Sequence, residues 1–327
     1  MAFLGVTAKP GTVERTRVRV GDLSDGTPVT IPVAMVRGAK DGPTMYIQAG
    51  LHGDELTGIQ IAREALPTID PKDLAGTLVV IPLANVPAHL TRTRGYLHEE
   101  RWLIDINRIF PGNAHGLLTE RIAAVLFNEF VRNADMTIDL HSALDGCDIA
   151  PFVYIDPDDD EGGTLALREK VGRAFGTPYV YYKPRGEKLG TSDMTRSMRA
   201  QAELAGKPDF SAEMGESRRV SWQHVPLGVR GIHNSLRAMG MEEGEPDVPK
   251  TQRRFSKITL AHAEKGGGLR MKKHVGDEVK QGETLAEILD VFGDRVEEVK
   301  SPADGFVLRE MLLGSLSTGA EVAWIAS

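Results

Sequence analysis

His52 and Glu55, in Gly50-Leu51-His52-Gly53-Asp54-Glu55, are the residues whose types and spacing have the clearest chemical use. Three positions apart on one helical turn, an imidazole and a carboxylate share a face and can converge on a single cation. By themselves they read more simply as a turn histidine followed by a first-turn carboxylate favoured by the helix dipole. His141 supplies the missing context. It ends the apolar run Met136-Thr-Ile-Asp-Leu-His141, and two ligands close in sequence with a third from a distant strand is the usual layout of a catalytic zinc site with an open fourth position. Side chains two apart on a strand share a face, so Asp139 is placed to support His141 or a neighbouring group.

Other candidates cluster in a few segments. Glu213 ends Asp209-Phe-Ser-Ala-Glu213 and is the best general-base candidate, since a carboxylate beside a metal-activated water can take its proton and later pass it to a leaving amine. Glu216 lies on the same turn and is its competitor. In Asp105-Ile-Asn107-Arg108-Ile-Phe-Pro-Gly, the adjacent amide and guanidinium are suited to clamping a carboxylate. The plainer reading is a turn asparagine beside a surface arginine. Arg94 is placed to stabilise a developing oxyanion, although Arg92 and Arg101 in the same loop compete for that role.

The segments that carry these residues share a form. Met45 to Ala49 reads as a buried strand that stops at Gly50, and a helical pattern follows over 55–65. Residues 77–82 form a second buried strand, ending in Asn85-Val86-Pro87-Ala88, and a polar loop then runs from His89 to Pro111. Thr119 reads as the N-cap of a helix reaching Asn133, and 136–141 is a third strand. Further helices are expected over 165–175, 192–205 and 226–239, with strands at 179–182 and 209–213. Upstream, alternating residues over 13–36 are broken by Ser24-Asp-Gly-Thr-Pro28 in the manner of a hairpin. Strands alternating with helices imply an α/β domain, a mostly parallel sheet covered on both faces, with its ligand site at the carboxyl ends of the strands. Gly244–Pro249 reads as a linker, which divides the chain into a domain over 1–250 and a small all-β domain over 251–327 with glycine turns and no helix.

Composition narrows the class. The 327 residues carry a net charge of −7 and no dense run of Lys or Arg, which argues against a nucleic-acid or polybasic membrane surface. Cys147 is the only cysteine, excluding internal disulfides and all-cysteine metal sites and fitting a reducing compartment. No basic leader precedes an apolar stretch and no stretch is long enough to span a bilayer, so a cytoplasmic location is expected. The acidic run Asp158–Glu161 lacks the spacing of a calcium loop and reads as a solvated turn.

Taken in order, Gly50-x-His52-Gly53-x-Glu55, Asn107-Arg108-x-Phe-Pro-Gly, Asp139-Leu-His141 and Glu213-x-Gly215 resemble the succinylglutamate desuccinylase/aspartoacylase family, a branch of the zinc carboxypeptidase superfamily. The Asn85-x-Pro-Ala lead-in to Arg94 adds to the likeness. The tail resembles biotinyl/lipoyl-like barrels but has Gly293-Asp294 where those carry a modified lysine, so an unmodified structural barrel is expected. The resemblance implies a zinc-carboxypeptidase-like mixed sheet and a hydrolase that cuts the amide of a small N-acyl amino acid by metal-activated water. It also implies one zinc per chain held by His52, Glu55 and His141, Glu213 as general base and acid, Arg94 as oxyanion stabiliser, and Asn107 with Arg108 as carboxylate clamp. Where family members often carry a short Ser-Pro-x-Asp-Gly stretch, this chain has Gly95–Ile104, whose His98 and Trp102 are candidates to line a substrate pocket. A carboxypeptidase on peptides and a metal-free binding protein on the same fold are the competing readings. The acyl group, the amino-acid half and the state of assembly, a homo-oligomer included, are left open.

Overall fold

The computed structural model describes residues 7–99, 105–144, 146–155, 163–183 and 194–327. Arg101, Trp102, the run Asp158–Glu161 and the start of the helix expected from Ser192 lie outside them. The larger part of the chain contains strands β1 (Thr12–Asp22), β2 (Pro28–Arg37), β3 (Lys40–Ala49), β4 (Ala75–Ile81), β5 (Met136–His141), β6 (Cys147–Ile149), β7 (Phe152–Ile155), β8 (Tyr179–Tyr182), β9 (Asp209–Glu213) and β10 (Arg253–Phe255). Its helices are α1 (Leu56–Ala65), α2 (Val86–Thr91), α3 (Leu118–Val125), α4 (Leu165–Ala174), α5 (Met198–Leu204) and α6 (Val225–Ala238).

Nine strands form one mixed sheet in the order β1-β2-β4-β3-β5-β9-β7-β8-β10. Its centre, β4-β3-β5-β9, is parallel, and the β1–β2 hairpin is antiparallel as the alternation predicts. The two faces are covered separately because side chains alternate across a strand. From β3, Met45, Ile47 and Ala49 join the core under α1, α4 and α6, while Tyr46 points into the core under α3 and α5. Full burial of such side chains stabilises by roughly 1.5–3 kcal/mol each, which is why the central strands read as nearly continuous apolar runs.

Two helix starts differ from the sequence expectation. Thr119 lies inside α3; both its N–H and its hydroxyl donate to the Glu99 carboxylate, at 2.7 and 2.5 Å, so a side chain from the preceding loop does the capping. α5 begins at Met198 with Ser197 as its cap, accepting from the Ala200 N–H at 3.2 Å. The short helix α2 falls in a stretch that reads as loop, because six residues carry too little periodicity to register.

The C-terminal part holds β11 (Ile258–His262), β12 (Gly267–Met271), β13 (Glu278–Val279), β14 (Thr284–Leu289), β15 (Arg295–Lys300), β16 (Gly305–Met311), β17 (Ser315–Leu316) and β18 (Glu321–Ala326). They form two antiparallel sheets, β11-β18-β16-β13 and β15-β14-β12-β17, with an apolar core of their own. The β14–β15 tip exposes Val291 and Phe292 and carries no lysine. Strands cross the boundary expected at residues 250/251: β6 pairs with β16 of the C-terminal part, and β10, which follows that boundary in sequence, pairs with β8 at the edge of the large sheet. A shared aromatic core lies between, with Tyr181 stacked on Phe255 at 4.9 Å and Tyr179 on Phe306 at 4.4 Å. Among the described residues, no helix is long and apolar enough to cross a membrane.

The β6–β16 seam contains a like-charge pair, because Asp148 and Glu310 are directly opposed. Burial pushes the Asp148 carboxyl up to about 6, against the pull of the Ile149 N–H and with Glu216 and Glu310 adding. For a raised carboxyl, the stability it allows is complete below about pH 4 and is lost as pH rises through the folded-state value. Asp148→Asn is therefore expected to match the parent at pH 4 and to exceed it by roughly 1 kcal/mol at pH 7.5. Urea unfolding at the two pH values measures this; equal stabilities at pH 7.5 would count against the seam's repulsion.

Candidate metal centre and active site

Three adjacent parallel strands, β3, β5 and β9, end side by side at one edge of the sheet and deliver His52 and Glu55, His141, and Glu213. His141 and Glu213 are register partners. The turn after β3 depends on its glycines. Gly50 has φ +65°, and a Cβ on Gly53 would lie 2.2 Å from the Ala88 carbonyl oxygen. That close approach seats α2 against the His52 turn. Asn85 caps α2 by accepting from the Ala88 N–H at 3.3 Å, and the chain beyond it brings Arg94 back over the site.

The centre is buried. The Glu55 carboxylate faces both imidazoles, with Oε1 2.7 Å from His52 Nδ1 and Oε2 2.7 Å from His141 Nδ1. Each histidine is held from behind by another carboxylate: His141 Nε2 is 2.7 Å from Asp139, and His52 Nε2 is 3.1 Å from Asp105. Gln48 donates to Asp139 at 3.0 Å and Tyr46 donates to Gln48 at 2.6 Å, which fixes that support. One ligand atom from each of His52, Glu55 and His141 falls within 4.8 Å of the others.

This donor set suits a divalent cation. An Nε2–H donated to Asp139 or Asp105 leaves Nδ1 with its lone pair facing an oxygen of Glu55, so acceptor opposes acceptor unless a positive charge lies between them. The electrostatics point the same way. Burial works against a charged imidazole, yet Asp139 and Glu55 outweigh it and hold His141 well above the ordinary histidine value. His52 is likewise raised, its carboxylate neighbours Glu55 and Asp105 overcoming burial and Arg94. Burial would raise Glu55, but His52 and His141 take it far below the usual carboxylate range.

Around the centre, Arg94 donates from Nε to Asp105 at 3.0 Å and from Nη1 to Glu55 at 3.3 Å. Asn107 gives its side-chain oxygen to the Met198 N–H at 2.9 Å, which leaves its amide NH2 free to donate. Arg108 bonds the Asn107 carbonyl at 2.8 Å and lies 3.7 Å from Asp105. Glu213 faces the same space, and no described residue hydrogen-bonds its carboxylate. Burial pushes its pKa up to about 7, with Glu55 adding and His141 opposing.

All seven candidates, His52, Glu55, Arg94, Asn107, Arg108, His141 and Glu213, line one cavity of about 430 Å³. That volume is typical of small-molecule sites. Of the competitors, Arg92 occupies the left-handed C-cap of α2 and does not line the cavity, while Glu216 turns outward to Arg219 at 3.4 Å. His98 packs against Tyr96 outside the described lining. Sequence reasoning gave Asp105 no role, although it stands two positions before Asn107. It also missed Arg309, Glu321 and Trp324, which form part of the cavity's roof from β16 and β18. No spacing rule links those positions to His52.

Known proteins match this chain in family and in fold. The model of the succinylglutamate desuccinylase/aspartoacylase catalytic domain matches residues 41–239. A Halomonas elongata protein named N-alpha-acetyl-L-2,4-diaminobutyric acid deacetylase is 29% identical over 305 residues, covering 91% of this chain and 86% of that protein. Among solved structures, a succinylglutamate desuccinylase/aspartoacylase from Rhodobacter sphaeroides superposes with TM-score 0.83 at 26% identity, covering 96% of this chain and 95% of that one. The product-bound ectoine utilization protein EutE (DoeB) from Ruegeria pomeroyi shares the fold with TM-score 0.86 at 24% identity, over 98% of this chain and 97% of that one.

Proposed function

Because the chain belongs to the succinylglutamate desuccinylase/aspartoacylase family, we propose that it is a zinc-dependent deacylase that hydrolyses the amide of a small N-acyl amino acid. The observation that carries this reading is the meeting, in one roofed cavity, of the His52–Glu55–His141 cluster with the carboxylate of Glu213, which no described residue hydrogen-bonds. The Halomonas relative is named for an N-acetylated diamino acid, a compound of the size that about 430 Å³ accommodates. The roof from the C-terminal part favours such substrates over long peptides. The single buried cysteine, Cys147, fits a cytoplasmic enzyme.

His52, Glu55 and His141 would hold the zinc, which when bound supplies Lewis acidity, making water a better nucleophile and an acyl carbonyl a better electrophile. Asn107 and Arg108 clamp the substrate carboxylate and so set the amide against Glu213. Glu213 accepts a proton from the attacking water and returns it to the departing amine nitrogen, a task suited to a carboxyl poised near neutrality. Arg94, held by Asp105, faces the acyl oxygen as negative charge develops there. Asp105 and Asp139 keep the two imidazoles oriented.

The test is metal content of the purified protein together with amine release from a panel of N-acyl amino acids. The expected result is near one zinc per chain and turnover of at least one panel member. Zinc-loaded protein that turns over none of a panel spanning acetyl and succinyl groups on acidic, neutral and basic amino acids would overturn the reading.

A further inference from the structure

Two exposed features far from the cavity lining complement each other. The first is the tip between β14 and β15, where Val291 is 92% and Phe292 88% exposed. The turn that carries them is rigid. Asp290 Oδ1 accepts from the Phe292 and Asp294 N–H groups, both at 2.9 Å. The Asp290 N–H donates to the Asp294 carbonyl at 2.9 Å, and the Gly293 N–H donates to the Asp290 carbonyl at 3.1 Å. Gly293 permits this closure with φ +91°. Two apolar side chains are therefore held out in water between the carboxylates of Asp290 and Asp294. The neighbouring Arg295 is already engaged by Glu287 and Glu298. An aromatic fixed in this way loses little conformational freedom on docking.

The second feature is the outer edge of the large sheet, formed by β1. Arg15 and Arg17 are two apart on one strand face, and their cross-strand partners on β2 are Ala34 and Pro32. Ala34 belongs to the core under α1, so the arginines lie on the α1 side of the sheet. Leu66 caps the end of α1, and beside it the hairpin is open. A groove of about 510 Å³ there is lined by Pro32, Ala34, Leu66, Pro82 and the stems of Arg15 and Arg17. Arg19 is bonded to Asp22 at 2.7 Å, whereas Arg15 and Arg17 form no ion pair with any described residue. A second copy's β1 is a poor partner for this edge, because antiparallel pairing would oppose arginine to arginine. An apolar group flanked by carboxylates suits it. Of the exposed large apolar side chains in the described residues, only Val291 and Phe292 stand between two carboxylates.

We propose that Val291 and Phe292 of one copy seat in the Arg15–Arg17 groove of a second copy, and reciprocally, so that the chain forms a two-fold pair with the tip carboxylates facing the groove guanidiniums. Pairing of this kind is independent of the deacylase reading. Each contact centres on one aromatic, which removes about 150–250 Å² from water. The two contacts together fall at the low end of specific interfaces, at roughly 1,200 Å². The pair is accordingly reversible, with Kd on the order of 1–100 µM.

Sedimentation velocity of the full zinc-loaded chain over about 1–500 µM tests this. The parent is expected to pass from monomer to dimer across that range, and to do so less readily at high salt, which screens exposed charges. Phe292→Ser removes an exposed side chain and leaves the turn's hydrogen bonds in place; it should weaken pairing by about tenfold or more. The double substitution Arg15→Glu with Arg17→Glu should weaken it at least as much, since carboxylates would then face carboxylates. Asp294→Lys should weaken it by a few-fold, on the order of what exposed ion pairs contribute. A mixture of the groove variant with Asp294→Lys should pair more tightly than either alone, because one of its two contacts is the parent's. A parent that stays monomeric throughout, a dimer indifferent to Phe292→Ser or to the groove substitutions, or a mixture no tighter than its components would overturn the inference.

Discussion

Glu213→Gln is expected to lower kcat by roughly a hundred- to ten-thousand-fold, the usual contribution of a positioned general base, while zinc content stays near one per chain. Glutamine keeps the shape and removes the proton acceptor. Three features of the site lead to this result. Glu213 is the register partner of His141, its carboxylate faces the cavity without a hydrogen bond from any described residue, and its pKa is pushed up to about 7. A base must be ionised to work, so the parent rate should rise with pH on the acid side, and that limb should vanish in the variant. A variant that kept more than a tenth of the parent rate with the acid limb intact would place the base elsewhere. Glu216 is the poorer alternative, being bound to Arg219 and outside the cavity lining.

Loss of the metal is expected to have an effect of similar size and to be visible in stability as well. His141→Ala should empty the centre and abolish measurable turnover, because Glu55 would keep only one imidazole beside it. Removing zinc with a chelator should do the same reversibly. A ligand present at a thousand times its Kd stabilises the folded state by about 4 kcal/mol, so the melting temperature of the chelated parent should fall by several degrees and recover on readdition. Asp139→Asn offers a graded control. It keeps His141 but weakens the acceptor that orients it, and loss of such a supporting group typically costs ~10- to 100-fold in metal affinity. Full turnover by metal-free protein would defeat the assignment of His52, Glu55 and His141 as zinc ligands.

The site was legible to different depths for definite reasons. The inner halves of β3, β5 and β9 are buried on both faces, so their apolar runs are visible; β5 and β9 end on His141 and Glu213, and β3 ends at Ala49, three positions before His52. His52 and Glu55 sit on one turn, where spacing alone brings them together. Asp139 and His141 share a strand face, and the structure does join them, at 2.7 Å. Thr119 misled because a residue favoured at helix starts was instead bound inside α3 by Glu99, a partner twenty positions away. Arg94 could not be chosen over Arg92 by composition; the left-handed turn that ends α2 separates them.

What the sequence alone determined is therefore local: the identity of the candidate ligands, the strand–turn–helix unit that presents two of them, the α/β class of the larger part and the β class of the tail. Tertiary structure decided the rest. It set Asp105 behind His52, closed the cavity with Arg309, Glu321 and Trp324, and stitched the two parts together through β6 and β10. The physical reason is that periodicity reports how a side chain is oriented on its own element. The pairing of elements distant in sequence is chosen by the burial of shared surface, here the aromatic core around Phe152, Tyr181, Phe255 and Phe306, and no local spacing records that choice.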